Sequence, residues 1–253
     1  MQASTIDEVI AQLEQITNES IQENDPIGYF SALYLEVTKN IKLAIQQRVF
    51  EDNERMEKLD VIFANRYLKA YSEFKGNDQP SSSWKVAFEE TRKFWPIVIQ
   101  HLLLGMNAHI ALDLGIAAAQ VSPGPEVKDL ENDFNKINEI LASLVKNVEN
   151  TLSQIWPKLK VVLKLAGRVD DFLINFSMET ARNEAWNFAV SLAEVSEQEM
   201  KRLIGEKDES VTEGARFISS PGWIISGLFR IIRIGERGSV GSKIQKFIQP
   251  SSS

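Results

Sequence analysis

Between residues 97 and 119 the chain runs for 23 residues with one formal charge, that of Asp113. A helix that is apolar on every side belongs either in the middle of a protein core or in a bilayer. This run also holds Gln100, His101, Asn107, His109 and Asp113. Polar groups in that number are costly in lipid, and no second run of similar character accompanies it. It therefore predicts a buried central helix, about residues 97–120, around which the rest of the chain packs.

The flanking sequence suits that role. Glycine and proline are sparse, at 13 and 8 of 253 residues, and apolar residues recur at spacings of three and four. No stretch alternates as a strand would, so the fold class is all-α. Helices are expected over about residues 5–20, 27–48, 53–75, 84–91, 126–155 and 169–194, with another from about residue 196. Asp52 is placed as an N-cap. Pro96 is placed in the first turn of the central helix. A short basic segment ends at LAGRVDD. Connections are short, which favours a compact helical bundle forming a single domain over residues 1–248. Residues 249–253 read as a disordered tail.

Composition removes several classes of chemistry. There is no cysteine, hence no disulfide, zinc–thiolate site, iron–sulfur cluster or thiol nucleophile. The N-terminal residues lack the basic and apolar regions of a signal peptide, so a cytoplasmic location is expected. A net charge of −7 argues against nucleic acid as partner. The charge is uneven, however. Residues 216–246 carry six basic side chains and one acid, net +5, which leaves −12 for the remainder. This C-terminal segment holds Trp223, Ile224, Ile225, Leu228, Phe229, Ile231 and Ile232 and could lie on an anionic membrane. The commoner arrangement packs the apolar side on the domain and turns Arg230, Arg233 and Arg237 toward the acidic body. Phosphate-binding glycine loops and the GxSxG elbow are missing. VDDFLIN and ENDFNKINE resemble the acidic metal motifs of terpene cyclases, but neither completes the pattern. Acids on a solvated helix face account for both.

The chemistry concentrates on the central helix. At about 100° per residue, His101, Gly105, His109 and Asp113 form one ridge. His109 and Asp113 are i, i+4 neighbours, close enough for the carboxylate to orient the imidazole. The same pair with another carboxylate is the variant that would hold one divalent metal. Gly105 leaves a gap in the ridge. Such a gap suits a small ligand or the close approach of another helix. Asn107 points about 160° away from His109 and bonds another neighbour. On the helix expected over 53–75, Asp60 and Arg66 flank Phe63, one to each side. On the helix expected over 169–194, Arg182 can pair with Glu179 and lie on the Trp186 ring.

These residues support two readings. In the first, an enzyme acts on a small polar or anionic molecule: His109 is the general base, Asp113 orients it, Arg66 holds an anion, and Asp60, Asn107, His101, Arg182 and Trp186 line the pocket. Hydrolysis is the reaction class this suggests. In the second, a non-catalytic protein uses the same network to set helix register. Oligomeric state and ligand are not readable.

Four stretches, LDVIFANRY, HLLLGMNAHIALDL, ARNEAWNFAVSLA and RGSVGSKIQKFI, resemble a bacterial family catalogued as the domain-of-unknown-function 5995 family. Its pattern reads DxxFANRY, then LLGxNAHIxxDL, then RxxAW, and the resemblance runs from about residue 25 to 248. It implies that Asp60, Asn65, Arg66, Asn107, His109, Asp113, Arg182 and Trp186 belong together. It implies no activity, since the family has none assigned.

Overall fold

A computed structural model describes residues 2–156 and 178–248. Among them there is no strand, and the fold is all-α. The helices are α1 (Ile6–Glu23), α2 (Gly28–Gln46), α3 (Asn53–Lys75), α4 (Ser82–Thr91), α5 (Val98–Ala108), α6 (Gly115–Val121), α7 (Glu131–Ile155), α8 (Met178–Ala193), α9 (Glu197–Ser219), α10 (Trp223–Gly235) and α11 (Val240–Ile248). The LAGRVDD and VDDFLIN stretches and the tail 249–253 lie outside the described residues.

Local chemistry sets the ends of several helices. Thr5 and Asp52 cap α1 and α3 through their side chains, accepting from the amides of Glu8 and Arg55, and Ser196 does the same for α9. Pro96 is not in the first turn as expected, because Ile97 is the extended N-cap and the helix begins at Val98. Gln100 completes that start: its Oε1 accepts from the Ile97 amide at 3.1 Å, and its Nε2 donates to the Ile218 carbonyl at 2.9 Å.

The run that organised the sequence is one continuous helical rod, but not a uniform one. α5 passes into a π-helical segment, His109–Leu114, and then into α6. The span Val98–Val121 is long and apolar enough to cross a membrane, and its most apolar part is 94% buried within the protein. α2, α4 and α9 pack on α5, while α3 and α8 pack on α6 and the π segment. α7 and α11 close the side beyond α2.

Two glycines let neighbours touch the rod. A Cβ on Gly105 would overlap the Phe30 ring of α2, and one on Gly115 would come within 2.7 Å of the Ala185 carbonyl of α8. The gap at Gly105 is thus filled by helix packing.

Candidate functional site

Asp113 is buried in the π segment and uses both carboxylate oxygens. Oδ1 accepts from Arg66 Nε at 2.6 Å. Oδ2 accepts from Trp84 Nε1 at 2.8 Å and faces His109 Nδ1 at 3.4 Å. Burial alone would push this carboxyl up, but the Arg66 charge and the bonds from His109 and Trp84 outweigh it and hold it below its ordinary value. Trp84 was not foreseen. It stands 29 residues away on α4, and no spacing rule connects it to the central helix.

His109 is held as tightly. Its ring lies flat on Phe63, with centroids 3.6 Å apart and planes 7° from parallel, and meets Tyr34 edge-on at 4.5 Å. Burial lowers its pKa against the opposing pull of Asp113, so the imidazole is neutral at pH 7. A carboxylate at Nδ1 selects the Nδ1–H tautomer and leaves a lone pair on Nε2. That Nε2 is buried and has no hydrogen-bond partner.

His109 lines a cavity of about 240 Å³ bounded by α2, α3, the central rod, α7 and α8. Apart from Tyr34, Asp60, His109 and Arg182, every described lining residue is aliphatic, a methionine or a phenylalanine. Asp60 Oδ2 and Arg182 Nε are buried without hydrogen-bond partners, like His109 Nε2. Burial, with the charge of Glu57, pushes the Asp60 carboxyl up to about 7. Arg182 donates from Nη2 to the Phe134 carbonyl at 2.6 Å and lies over the Phe134 ring, 4.6 Å from its centroid. Among the described residues no carboxylate pairs with it. Burial lowers its pKa to about 10, which still leaves it charged at pH 7.

The other candidates are placed elsewhere. Arg66 and Asp113 border a separate groove of about 860 Å³, with Asn65, Lys69, Trp84 and Gln120. Phe63 divides the two sides, with Asp60 toward the cavity and Arg66 toward the groove. Arg66 is therefore committed to Asp113, and Arg182 is the arginine that lines the cavity. Arg182 lies on Phe134 instead of on Trp186, because α7 brings that ring and its carbonyl beneath the guanidinium. Trp186 packs on Phe134 as well, with ring centroids 5.0 Å apart. The side chain of Glu179 lies outside the described residues. His101 is separated from His109 by the Phe30 ring; it stacks on Tyr29 at 5.6 Å and borders a void of only about 20 Å³. Asn107 donates to the Val211 carbonyl at 2.9 Å and ties α5 to α9. Asn65 pins the N-terminal strap, exchanging two 2.8 Å bonds with the Ala3 backbone. Asp133 of ENDFNKINE is buried and not on a solvated face. It accepts from the amides of Glu51 and Asp52 at 2.7 and 2.9 Å and holds the turn before α3.

The metal variant finds no ligand set among the described residues. Among the described residues no cluster of three or more His, Asp or Glu exists, and both oxygens of Asp113 are already engaged.

Residues 6–221 match a family described as a family of unknown function, DUF5995. The chain belongs to that family. The match spans α1 to α9 and so includes every described residue lining the cavity and, Gln2 apart, every described residue lining the groove. The closing RGSVGSKIQKFI falls beyond it. No curated protein and no solved structure matches the chain.

Proposed function

We propose that the protein binds a small molecule with an apolar body and an acidic end in the 240 Å³ cavity, and that His109 serves there as a general base. One observation carries this reading. Four buried polar atoms, His109 Nε2, Asp60 Oδ2, Arg182 Nε and the Tyr34 hydroxyl oxygen, have no partner and belong to residues lining one otherwise apolar cavity. A network kept only for helix register would be closed and fully bonded. Here the structural part of the network, Arg66–Asp113–Trp84, is satisfied, whereas Nε2 of His109, whose other ring nitrogen faces the same carboxylate, is left open on a residue that lines the cavity.

The chemistry of the lining selects the ligand. A cavity of about 150 Å³ accommodates benzene, so this one admits a body of roughly ten heavy atoms. Its walls favour an aliphatic or aromatic body over the polar one that the sequence suggests. A buried guanidinium without a carboxylate is stabilised by an anionic group brought in by the ligand. Asp60, with its pKa near 7, can donate to or accept from a hydroxyl. His109 Nε2 can take a proton from a hydroxyl or a water, with Asp113 stabilising the imidazolium that forms. Hydrolysis of an apolar ester is the reaction class consistent with these parts.

Thermal unfolding with octanoate and with octanol tests the binding. Octanoate should raise the Tm of the wild type and lose most of that effect in Arg182→Met, whereas octanol should stabilise both. Absence of any shift from either compound would exclude the cavity as a ligand site of this class. Cleavage of ethyl hexanoate, an apolar ester of about ten heavy atoms, by the wild type, lost in His109→Gln with octanoate binding retained, is the readout for the base.

A further inference from the structure

The sequence favours packing the apolar side of the C-terminal basic segment inward and turning its arginines to the acidic body. The inward packing is present: in α10, Phe229 and Ile232 are buried and Ile225 and Leu228 pack against the core. The outer side is apolar as well, with Trp223 86% exposed, Ile234 78% and Ile231 61%, and Ile224 exposed beside them. Phe217 at the end of α9 and Phe94 and Trp95 before α5 are exposed as well. Among the described residues these seven account for all but two of the exposed large apolar side chains, Leu43 and Val49. Phe94 and Trp95 join the outer side of α10 in one face, because Arg230 lies over the Trp95 ring and Arg233 over the Phe94 ring, and Arg233 Nε donates to the Phe94 carbonyl.

The charge around this face is predominantly basic. Residues 216–237 carry Arg216, Arg230, Arg233 and Arg237 against Glu236 alone, and Arg92 and Lys93 precede Phe94, Lys93 being paired with the buried Glu90 at 2.7 Å. Glu236 is taken up by Arg233 and by the buried Lys243. The next acid back along α9, Glu213, precedes Phe217 by one turn.

We propose that this face, Phe94–Trp95 with the outer side of α10, docks the protein on an anionic bilayer surface. Exposed tryptophan and isoleucine ringed by arginine is the composition that inserts shallowly at the headgroup boundary, and several basic groups are drawn to anionic lipid. A second copy of the chain fits less well. A two-fold contact would set the same patch against itself, bringing arginines against arginines with one already engaged acid on each side. The proposal is independent of the cavity and of any ligand bound there.

The test is co-sedimentation of the full chain with vesicles of phosphatidylcholine alone and of phosphatidylcholine with about one-third phosphatidylglycerol. The protein should sediment with the anionic vesicles and not the neutral ones, and should be released by high salt. Arg230→Glu should weaken partitioning about tenfold. The double variant Ile231→Ser/Ile234→Ser should abolish it without lowering Tm, since both side chains are exposed. The proposal is overturned if the protein ignores anionic vesicles, if the double variant still binds them, or if light scattering shows a dimer that the double variant dissolves. In that last case the face belongs to a second copy.

Discussion

Arg66 grips Asp113 from the groove while His109 meets the same carboxylate from the cavity. The Arg66 Nε–Asp113 Oδ1 bond is 2.6 Å and the His109 Nδ1–Asp113 Oδ2 separation is 3.4 Å. Asp113 thus forms part of a wall between two spaces, with its charge balanced on one side and its orienting role exercised on the other.

Arg66→Met should destabilise the protein by about 2–4 kcal/mol at pH 7, because it leaves a buried carboxylate without its cation. The loss should shrink on acidification. In the wild type Asp113 titrates below its ordinary 3.8, so its contribution is full above that value and lost as pH falls through the folded-state pKa. Without Arg66, burial raises the carboxyl and the group protonates sooner. Urea unfolding of both proteins across the acid range measures the convergence; a pH-independent difference would mean that the pair contributes packing only.

Asp60→Asn should stabilise the empty protein, and only at higher pH. The unfolded carboxyl ionises near 3.8 and the folded one near 7. Between those values the unfolded chain has released a proton that the native state keeps, so native stability falls as pH rises through the window. Asparagine removes that cost, with a gain of about 2–4 kcal/mol at pH 8 that fades toward pH 4. A gain equal at both ends would place the effect in side-chain shape instead of ionisation.

His101 should make the fold acid-labile. Burial, then the charges of Arg233 and Lys243, lower its pKa from 6.5 to about 3. In that window the unfolded chain takes up a proton that the native state refuses, so stability drops as pH falls. The loss between pH 7 and pH 4 is of the order of 3 kcal/mol. His109 acts in the same sense, and Asp60 opposes both. His101→Phe keeps a ring against Tyr29 and should flatten this slope in chemical denaturation at a series of pH values. A slope as steep as the wild type's would assign the acid lability to other groups.

Gly105→Ala should cost about 2–3 kcal/mol, since the new methyl overlaps the Phe30 ring and a close-packed interior answers by strain. Phe30→Leu in the same chain should recover part of the loss. A double-mutant cycle on urea midpoints gives the coupling between the two positions. Additive effects would show that the rod does not meet α2 at this point.

The uncharged run and the three-and-four spacing made the all-α architecture and its central rod readable, because burial on every side leaves a compositional trace. The pairing of His109 with Asp113 and the outward turn of Asn107 were readable for the same reason, being local to one helix. The division of labour between the two arginines was not. Arg66 and Arg182 both border buried faces, and only the packing of α3 on the π segment and of α7 beside α8 decides which one meets a carboxylate and which one meets a bare ring. Trp84, Tyr34 and Phe30 were invisible as site residues because an aromatic at helical spacing reads the same whether it fills a core or walls a cavity. Gly105 had two readings in the sequence, and the ring of a residue 75 positions away chose between them.

The π segment gives the central rod a change of phase. Ahead of it, Asn107 and Gln100 lock the rod to α9. Behind it, Gly115 is pressed against α8. A uniform α-helix would have to serve both neighbours with one angular setting, 100° to each residue. The wider turn at His109–Leu114 lets the two ends be set separately, as a π turn inside an α-helix often does at a functional position. Winding the same six residues as a regular α-helix would swing one half of the rod by nearly a third of a revolution, and Asp113 could no longer reach Arg66, Trp84 and His109 together.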